Sequence, residues 1–486
     1  MNSPDLFPDL LPQGLLPKVP SPLPESSGDA LEWPRLREAV AKRAFSPLGR
    51  AWVLALEPSA SLAWIERQQQ RTGEMRAMLA EGGSFEFRGL FDATALLDRA
   101  RIEGAALEAT EILGLLGVVE RVAAWRSLFL PGAPSFAAAL AAGEIAALSA
   151  PLLDHDFAPL LRLLRGKIEP DGSLNDDASP ALRGIRRAME RQHRAIEESL
   201  RRSLRSLTEG GSTQDELITI RGERFVIPVK AEFKRRVPGV VHGSSSSGQT
   251  VFVEPFETIE QNNELVRLLD EEQAEIHRIL LAMTRALGEN AAAIDLGTGI
   301  LAEVESHVAR ARFADDLNCV RPTFTPGDPA PPSHVISAEV RRPEWKDPRI
   351  SSSPHQLPPG APSFAASPRR AESTDTPQPT LSLIAARHPL LELRMRAAAR
   401  KDGNEAARPV PLTIVLPPGT RQLIVSGPNT GGKTVSLKTL GLLSLMAQAG
   451  IPVPAEEAAL PLFTAVYADI GDAQSIERNL SSFSAH

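Results

Sequence analysis

The stretch that most constrains this chain is Gly427-Pro428-Asn429-Thr430-Gly431-Gly432-Lys433-Thr434. It follows the apolar run Leu423-Ile424-Val425 and precedes an amphipathic segment from Val435 to Ala449, the order of strand, phosphate-binding loop and helix. Glycines at this spacing let successive backbone N–H groups turn inward around phosphate oxygens with no Cβ in the way. Lys433 then supplies a point charge and Thr434 a hydroxyl for Mg2+, while the helix start adds unpaired N–H groups and the positive end of its dipole. A plain Gly-rich turn is the competing reading, and the strand and helix patterns on either side argue against it.

At 486 residues the chain is too long for a single core, and about 150 residues per domain suggests two to four units. Its hydrophobic fraction of 42% and charged fraction of 23% fall in the range of ordinary globular proteins. The longest apolar stretches, such as Ile112 to Val119, are too short to span a bilayer, so no membrane partner is expected. The N-terminus has no basic, apolar, small-residue order, and no export signal is expected there. One cysteine, Cys319, cannot form an internal disulfide and fits a reducing cytoplasm. A net charge of -7 argues against indiscriminate nucleic-acid binding by the whole surface, but leaves local patches free to bind.

Residues 1 to about 28 hold seven prolines among short apolar and acidic residues and read as a flexible leader. From Leu31 a run of helical segments continues to about Leu164, punctuated at Gly82-Gly83 and Pro131-Gly132. Within it, the Ala-rich stretch Phe136 to Leu148 reads as a helix packed inside the helical domain. Ser179-Pro180 opens the next helix, with Leu182, Ile185, Met189, Ile196, Leu200, Leu204 and Leu207 forming one apolar seam. Its other faces carry Arg183, Arg186, Arg187, Arg191, Arg194, Arg201, Arg202 and Arg205 against Glu190, Glu197 and Glu198. Two readings stand for them: a solvated face, or contact with a phosphate backbone.

A β-rich island interrupts the helices. Leu217–Ile220 and Phe225–Val229 read as paired strands, and Thr250–Val253 as a third after the turn Gly243 to Gly248. A second long helix starts at Asn262 with Leu265, Leu268, Leu269, Ile276, Leu280, Met283 and Leu287 on one side, so two long helices flank a small sheet. Pro322 to Pro379 is dense in proline and serine and is expected to lack fixed structure. Order resumes at Leu381–Ile384, followed by Arg387-His388-Pro389, a polar loop from Lys401 to Arg408, Thr413–Leu416 and the phosphate loop. Gly450 closes the loop's helix, and Ala465–Ile470 reads as another buried strand.

These blocks together resemble a known family. Ser426 to Lys438 (SGPNTGGKTVSLK) is similar to the phosphate loop of MutS-type ATPases, relatives of the ABC ATPases. Thr430 and Val435-Ser436-Leu437-Lys438 are closer to the second MutS subfamily, associated with recombination suppression and ribosome rescue, than to the mismatch-repair branch. Arg224 to Lys230, Gly239 to Pro255, Asn262 to Leu265, Ala386 to Leu391 and Ala468 to Ser475 look like that subfamily too, and the resemblance runs from about Leu31 to the last residue.

The resemblance implies a multidomain, α-rich plus α/β architecture. On this mapping residues 1–28 are a leader, and 29–320 a helical core and lever with a small β-containing clamp around 180–290. Residues 321–380 are a disordered insertion, and 381–486 the N-terminal part of an incomplete ABC-like P-loop ATPase domain. It also implies ATP and Mg2+ as cofactors, held by Gly427 through Thr434 with Thr434 on the metal, a homodimer in the complete family form, and DNA or ribosomal RNA as partner. The mismatch-repair branch reads a distorted base step with a Phe-x-Glu wedge in an N-terminal module, and no such module is expected before Leu31. Phe252-Val253-Glu254 has the letters, but its strand pattern favours a packed phenylalanine, so branched DNA is expected to be recognised by shape and charge.

Further carry-overs are Val410-Pro411 beside the adenine, Asp472 and Gln474 in the loop that senses γ-phosphate and metal, and Ser481 as a contact to the partner's nucleotide. For Ser481, capping a helix is an equal reading. His388 is expected to organise its loop rather than to act as a base. The family's Asp-Glu strand, later dimerisation helices and Smr nuclease domain come after the position of His486. The expectation from this is an incomplete ATPase fold with an exposed apolar face, weak nucleotide binding and hydrolysis slower by several orders of magnitude. The alternative to an ATPase is a non-catalytic nucleic-acid-binding lever and clamp.

Overall fold

A computed structural model describes residues 21–140, 142–208, 218–246, 248–325, 380–402, 408–420, 422–426 and 432–470. In chain order these form helices α1 (Glu25–Ala30), α2 (Trp33–Ala41), α3 (Pro47–Leu54), α4 (Leu62–Ala80), α5 (Thr94–Ala100), α6 (Ala109–Ser127), α7 (Glu144–Ser149), α8 (Ala158–Leu164) and α9 (Pro180–Thr208). Strands β1 (Thr219–Arg221), β2 (Arg224–Lys230), β3 (Gly239–Ser244) and β4 (Thr250–Pro255) lead to α10 (Ile259–Glu289) and α11 (Ala291–Asp316). The remainder comprises β5 (Thr323–Thr325), β6 (Leu381–Ala386), α12 (Pro389–Asp402), β7 (Leu412–Leu416), α13 (Lys433–Gln448) and β8 (Glu457–Pro461). The chain is thus helix-rich with small sheets. Among the described residues no helix is long and apolar enough to cross a membrane.

Two compact units share these elements. One comprises Met1–Arg88, Leu128–Ala150 and Ile300–His486; the other Gly89–Ser127 and Pro151–Gly299.

The first unit is built on one apolar cluster to which α2, the C-terminal part of α11, the sheet and α13 all contribute, through Trp33, Leu36, Val40, Phe313, Leu383, Leu443, Met446 and Leu460 among others. Its sheet has the order β5-β8-β6-β7, with β5 parallel to β8 and the other pairs antiparallel. A bulge between Leu383 and Ala386 leaves Ala385 at φ 51, its amide donating to the Thr413 hydroxyl at 3.1 Å. Order reaches back into the stretch expected as leader, where Ser27 in α1 accepts a hydrogen bond from Ala468 N at 3.0 Å. At the near edge of the expected insertion, β5 pairs with β8; residues 326–379 lie outside the described residues.

Three sequence expectations are corrected in this unit. Leu423-Ile424-Val425 forms no strand, and Ile424 is 88% exposed: an apolar run becomes a strand only where a neighbouring strand takes its N–H and C=O groups. Ala465–Ile470 likewise forms no strand, although Val466 is buried and its amide donates to Pro22 O. The Ala-rich stretch is not one helix but a 3-10 turn at Ser135–Ala139 and then α7. The break has a long-range cause. The Glu74 carboxylate, from α4, accepts from Glu144 N at 2.9 Å and Ile145 N at 2.8 Å and so caps α7 from outside.

The second unit is organised around α9 and α10, which run antiparallel: Arg186 pairs with Glu272 at 2.6 Å, and Gln192 Nε2 donates to Gln261 O at 2.9 Å. The Ser179 hydroxyl accepts from Leu182 N at 2.9 Å, satisfying one of the first-turn amides of α9, and donates to Glu275 at 2.6 Å. Beyond these helices sits an antiparallel sheet of order β1-β2-β4-β3. Phe225, Ile227 and Val229 alternate along β2 and meet Ile196, Leu200, Leu204 and Leu265 of the two helices. The sheet has one strand more than its apolar pattern indicated. β3 is almost entirely exposed, so burial leaves no alternation to read in Gly239–Ser244.

Candidate functional site

Of the phosphate-loop residues, Gly432, Lys433 and Thr434 are described, whereas Gly427, Pro428, Asn429, Thr430 and Gly431 lie outside the described residues, as do Asp472, Gln474 and Ser481. Gly432 stands immediately before α13 at φ 76, ψ 13, a left-handed conformation that favours glycine. Among the described residues a Cβ there would meet nothing within 4 Å. No side chain caps that start. The start of a helix is where backbone N–H groups and the positive dipole end favour an anion, and Thr434 is exposed in this first turn. These features fit a triphosphate with its metal: donors and positive dipole on one side, a hydroxyl on the other. Among the described residues no group of three or more His, Cys, Asp or Glu could hold a metal by itself.

The other end of α13 is its opposite in every respect. From Thr439 to Gly450 every residue is buried. Gly450, at φ 73, ends the helix, with Ile451 N donating to Met446 O at 2.9 Å. Gln448 Nε2 donates to Ser59 O at 2.8 Å and Phe463 O at 2.9 Å, and its Oε1 accepts from Phe463 N at 3.1 Å. Gln69 of α4 donates to Ala447 O at 3.2 Å. From α11, Arg310 donates to Gln68 Oε1 at 3.1 Å and Ala449 O at 3.4 Å. Burial pulls the Arg310 guanidinium down to about 9, which leaves it charged at neutral pH. These residues were not found from the sequence. The signal that could have found them is a polar side chain at a core position of a helical period, as His307 and Arg310 are between Val304, Val308 and Ala311.

His388 stands immediately before α12, where its Nδ1 accepts from Leu391 N at 3.4 Å. Burial pulls its pKa down to about 4, with the Glu32 charge opposing and Lys438 and Arg394 adding to the drop. At neutral pH the ring is uncharged and 6% exposed, the state of a side chain that organises a turn. Next to it Arg387 reaches Leu317 O at 2.5 Å and the fully buried Glu392 at 3.2 Å. Val410 is 89% exposed, just ahead of β7.

In the second unit the arginines of α9 separate into groups. Arg183 and Arg186 are tied to Asp177, Asp176 and Glu272. Arg194 and Arg201 lie 3.4 Å from Glu190 and Glu197 one turn away, both pairs exposed. Arg187, Arg191 and Arg202 are exposed and carry no ion pair among the described residues. At the sheet, Phe252 lies under the Arg221 guanidinium at 4.4 Å. Glu254 is 2% exposed and held by Arg224, His242 and Asn262 at 2.6–2.9 Å, so neither side chain of the Phe-x-Glu letters is presented as a wedge.

Comparison with known proteins bears on the family of the chain. The family described as MutS domain V matches residues 423–486. The chain is 34% identical to an Endonuclease MutS2 of Pelotomaculum thermopropionicum and to one of Thermomicrobium roseum, across 94% of this chain and 49% and 50% of theirs. It is 32% identical to a Putative endonuclease MutS2 of Bacillus subtilis, across 94% of this chain and 49% of that one. The chain therefore spans about half the length of the curated relatives it matches. Over the half of that length that it spans, the chain belongs to the MutS family and is of the MutS2 type.

Proposed function

We propose that this chain binds Mg2+-ATP at Gly427–Thr434 and nucleic acid through its second unit, as a nucleotide-dependent protein acting on branched DNA in the cytoplasm. The observation that carries the reading is the geometry at Gly432: a left-handed glycine immediately before a helix whose first residues are Lys433 and Thr434. Backbone amides of the loop and of the first turn of α13 would surround the phosphate oxygens, the Lys433 ammonium would offset their charge, and Thr434 would offer its hydroxyl to Mg2+. On the second unit Arg187, Arg191 and Arg202 supply charge to a phosphate backbone, which positions nucleic acid without reading its sequence.

ATP hydrolysis, closure of a homodimer and the strand cleavage in the relatives' printed name are proposals for the whole protein. Suppression of recombination is the role that branched-DNA binding would serve. Stalled ribosomes and their RNA are the second target, and a non-catalytic nucleic-acid adaptor is the second activity reading.

The test is a melting curve with Mg2+-ATP for the wild type and for Lys433→Ala. Ligand at a hundred times Kd stabilises by about 2.7 kcal/mol, a rise of several degrees. The wild type is expected to shift and the variant not to. A wild type whose Tm ignores ATP would refute nucleotide binding. Turnover abolished by Lys433→Ala supports the enzyme, and binding of labelled branched DNA and of ribosomes at two salt concentrations separates the two targets.

A further inference from the structure

Helix α13 is exposed at Thr434 and Val435, as is Gly432 just before it, and buried on all sides from Thr439 onward, so it runs from solvent into the core of the first unit. Packed this way, it cannot turn about its axis without breaking its contacts, and a load at one end arrives at the other as a displacement of the whole rod. The carbonyls at its inner end find donors on two other helices. Thr72 Oγ1 lies 3.4 Å from Gly450 O and is hydrogen-bonded to His307 Nδ1 at 3.0 Å. Gln69 Nε2 reaches Ala447 O and Ile451 O, and Arg310 reaches Ala449 O, Gln68 Oε1 and Ser306 Oγ. Arg310 has no exposed surface. Its charge is faced by Glu303, which is itself paired with Arg71 at 2.5 Å.

A buried guanidinium in such a place is costly, and an apolar side chain of similar volume would often stabilise the fold as well or better. What favours the guanidinium here is the Glu303 carboxylate together with Gln68 Oε1, Ser306 Oγ and, at the inner end of α13, the Ala449 carbonyl, where the negative end of the helix dipole adds to them. A nucleotide triphosphate bound at the outer end would interact with the positive end of the same dipole. The two charges therefore act on one helix from opposite ends.

We propose that Arg310, with Gln68, Gln69 and Thr72, is a positioning lock on the inner end of α13 that couples nucleotide at its outer end to α4 and to the C-terminal part of α11. The inference rests on the nucleotide-binding reading above. Because coupling is reciprocal, releasing the lock weakens nucleotide binding, and nucleotide binding tightens the lock.

The experiment measures the affinity of a fluorescent Mg2+-ATP analogue together with amide hydrogen exchange, with and without Mg2+-ATP, in peptides covering 66–74 and 303–312. Wild type, Arg310→Met, Arg310→Lys and Thr72→Val are compared as full chains. In the wild type, nucleotide is expected to slow exchange in both peptides. In Arg310→Met, affinity is expected to fall about five- to tenfold and the slowing to be lost, with partial recovery in Arg310→Lys, which keeps the charge. If Arg310→Met does not fold, Thr72→Val carries the comparison, since it removes one hydroxyl and keeps the shape; it is expected to reduce the slowing. The lock is overturned if the wild type binds nucleotide with no change in either peptide, or if the folded variants keep both affinity and slowing. A wild type that binds no nucleotide overturns the nucleotide-binding reading itself, and the lock with it.

Discussion

Asn262 Nδ2 donates to Glu254 Oε1 at 2.8 Å, joining the first turn of α10 to strand β4. The same side chain donates to Phe225 O and accepts from Phe225 N, both at 3.0 Å, so one amide serves two strands. Glu254 also faces Arg224 at 2.9 Å and His242 at 2.6 Å. Every member of this network is satisfied, which is the condition under which buried polar groups specify a single arrangement.

Replacing Asn262 by leucine keeps the volume and leaves the Phe225 amide and one Glu254 oxygen without that partner. The expected loss is about 2–4 kcal/mol, since buried groups left unsatisfied cost their full desolvation. Urea unfolding of the variant checks it; a change below about 0.5 kcal/mol would mean that the network contributes nothing to stability.

The glycines at the two ends of α13 are expected to behave differently. Gly432→Ala meets no neighbour among the described residues and bears the strain of φ 76, about 1 kcal/mol. Gly450→Ala adds to a similar φ a Cβ that would overlap the Gln68 Cβ, for a total of about 3 kcal/mol or more. Thermal melts of the two variants should rank in that order, and equal losses would contradict the packing described for the inner end.

Stability should fall as pH drops below neutrality. His307 is pulled down to about 3, by burial first and then by Arg310, and His388 to about 4, by burial first. Both folded values lie below the ordinary 6.5, so between 6.5 and about 4 the unfolded chain holds two more protons than the folded one. The stability tied to these rings is complete above pH 6.5. Below it, each ring costs up to about 1.4 kcal/mol per pH unit. Glu305, raised by burial, works in the other direction, so the clean measure is a difference. The double variant His307→Gln, His388→Asn should show a shallower loss of unfolding free energy between pH 7 and 5.5 than the wild type. Parallel slopes would refute the assignment.

Substituting Arg187, Arg191 and Arg202 together by alanine should weaken binding of branched DNA about equally for all sequences. The slope of log K against log salt should fall by about 2–3, one counterion per lost phosphate contact. Arg183→Ala and Arg186→Ala should act on stability instead, because their partners are Asp177, Asp176 and Glu272. Fluorescence anisotropy at several salt concentrations reads the first effect; an unchanged slope would remove α9 from the nucleic-acid surface.

Much of this molecule is legible in its sequence where one face of an element meets the core. The seam Leu182, Ile196, Leu200 and Leu204 marks α9, the alternation Phe225, Ile227 and Val229 marks β2, and Gly450 marks the end of α13. The proposed phosphate loop is a sequence reading of another kind: its chemistry is local, so eight consecutive residues suffice to suggest it. Leu423–Val425 misleads because apolar character says that a segment can be a strand, and pairing decides whether it is one. β3 escapes notice because its residues are exposed, so nothing in their order records which face is inward.

By itself, the sequence determined the family and most of the helices, and it proposes a place for the anion site; all of these depend on neighbours within a few residues along the chain. Only the tertiary structure decided that Glu74 caps α7, that Glu254 is held rather than presented, and that Arg310 ends on the carbonyls of α13. Those partners are separated by as many as 139 residues, and a hydrogen bond depends on distance in space, which no local pattern encodes.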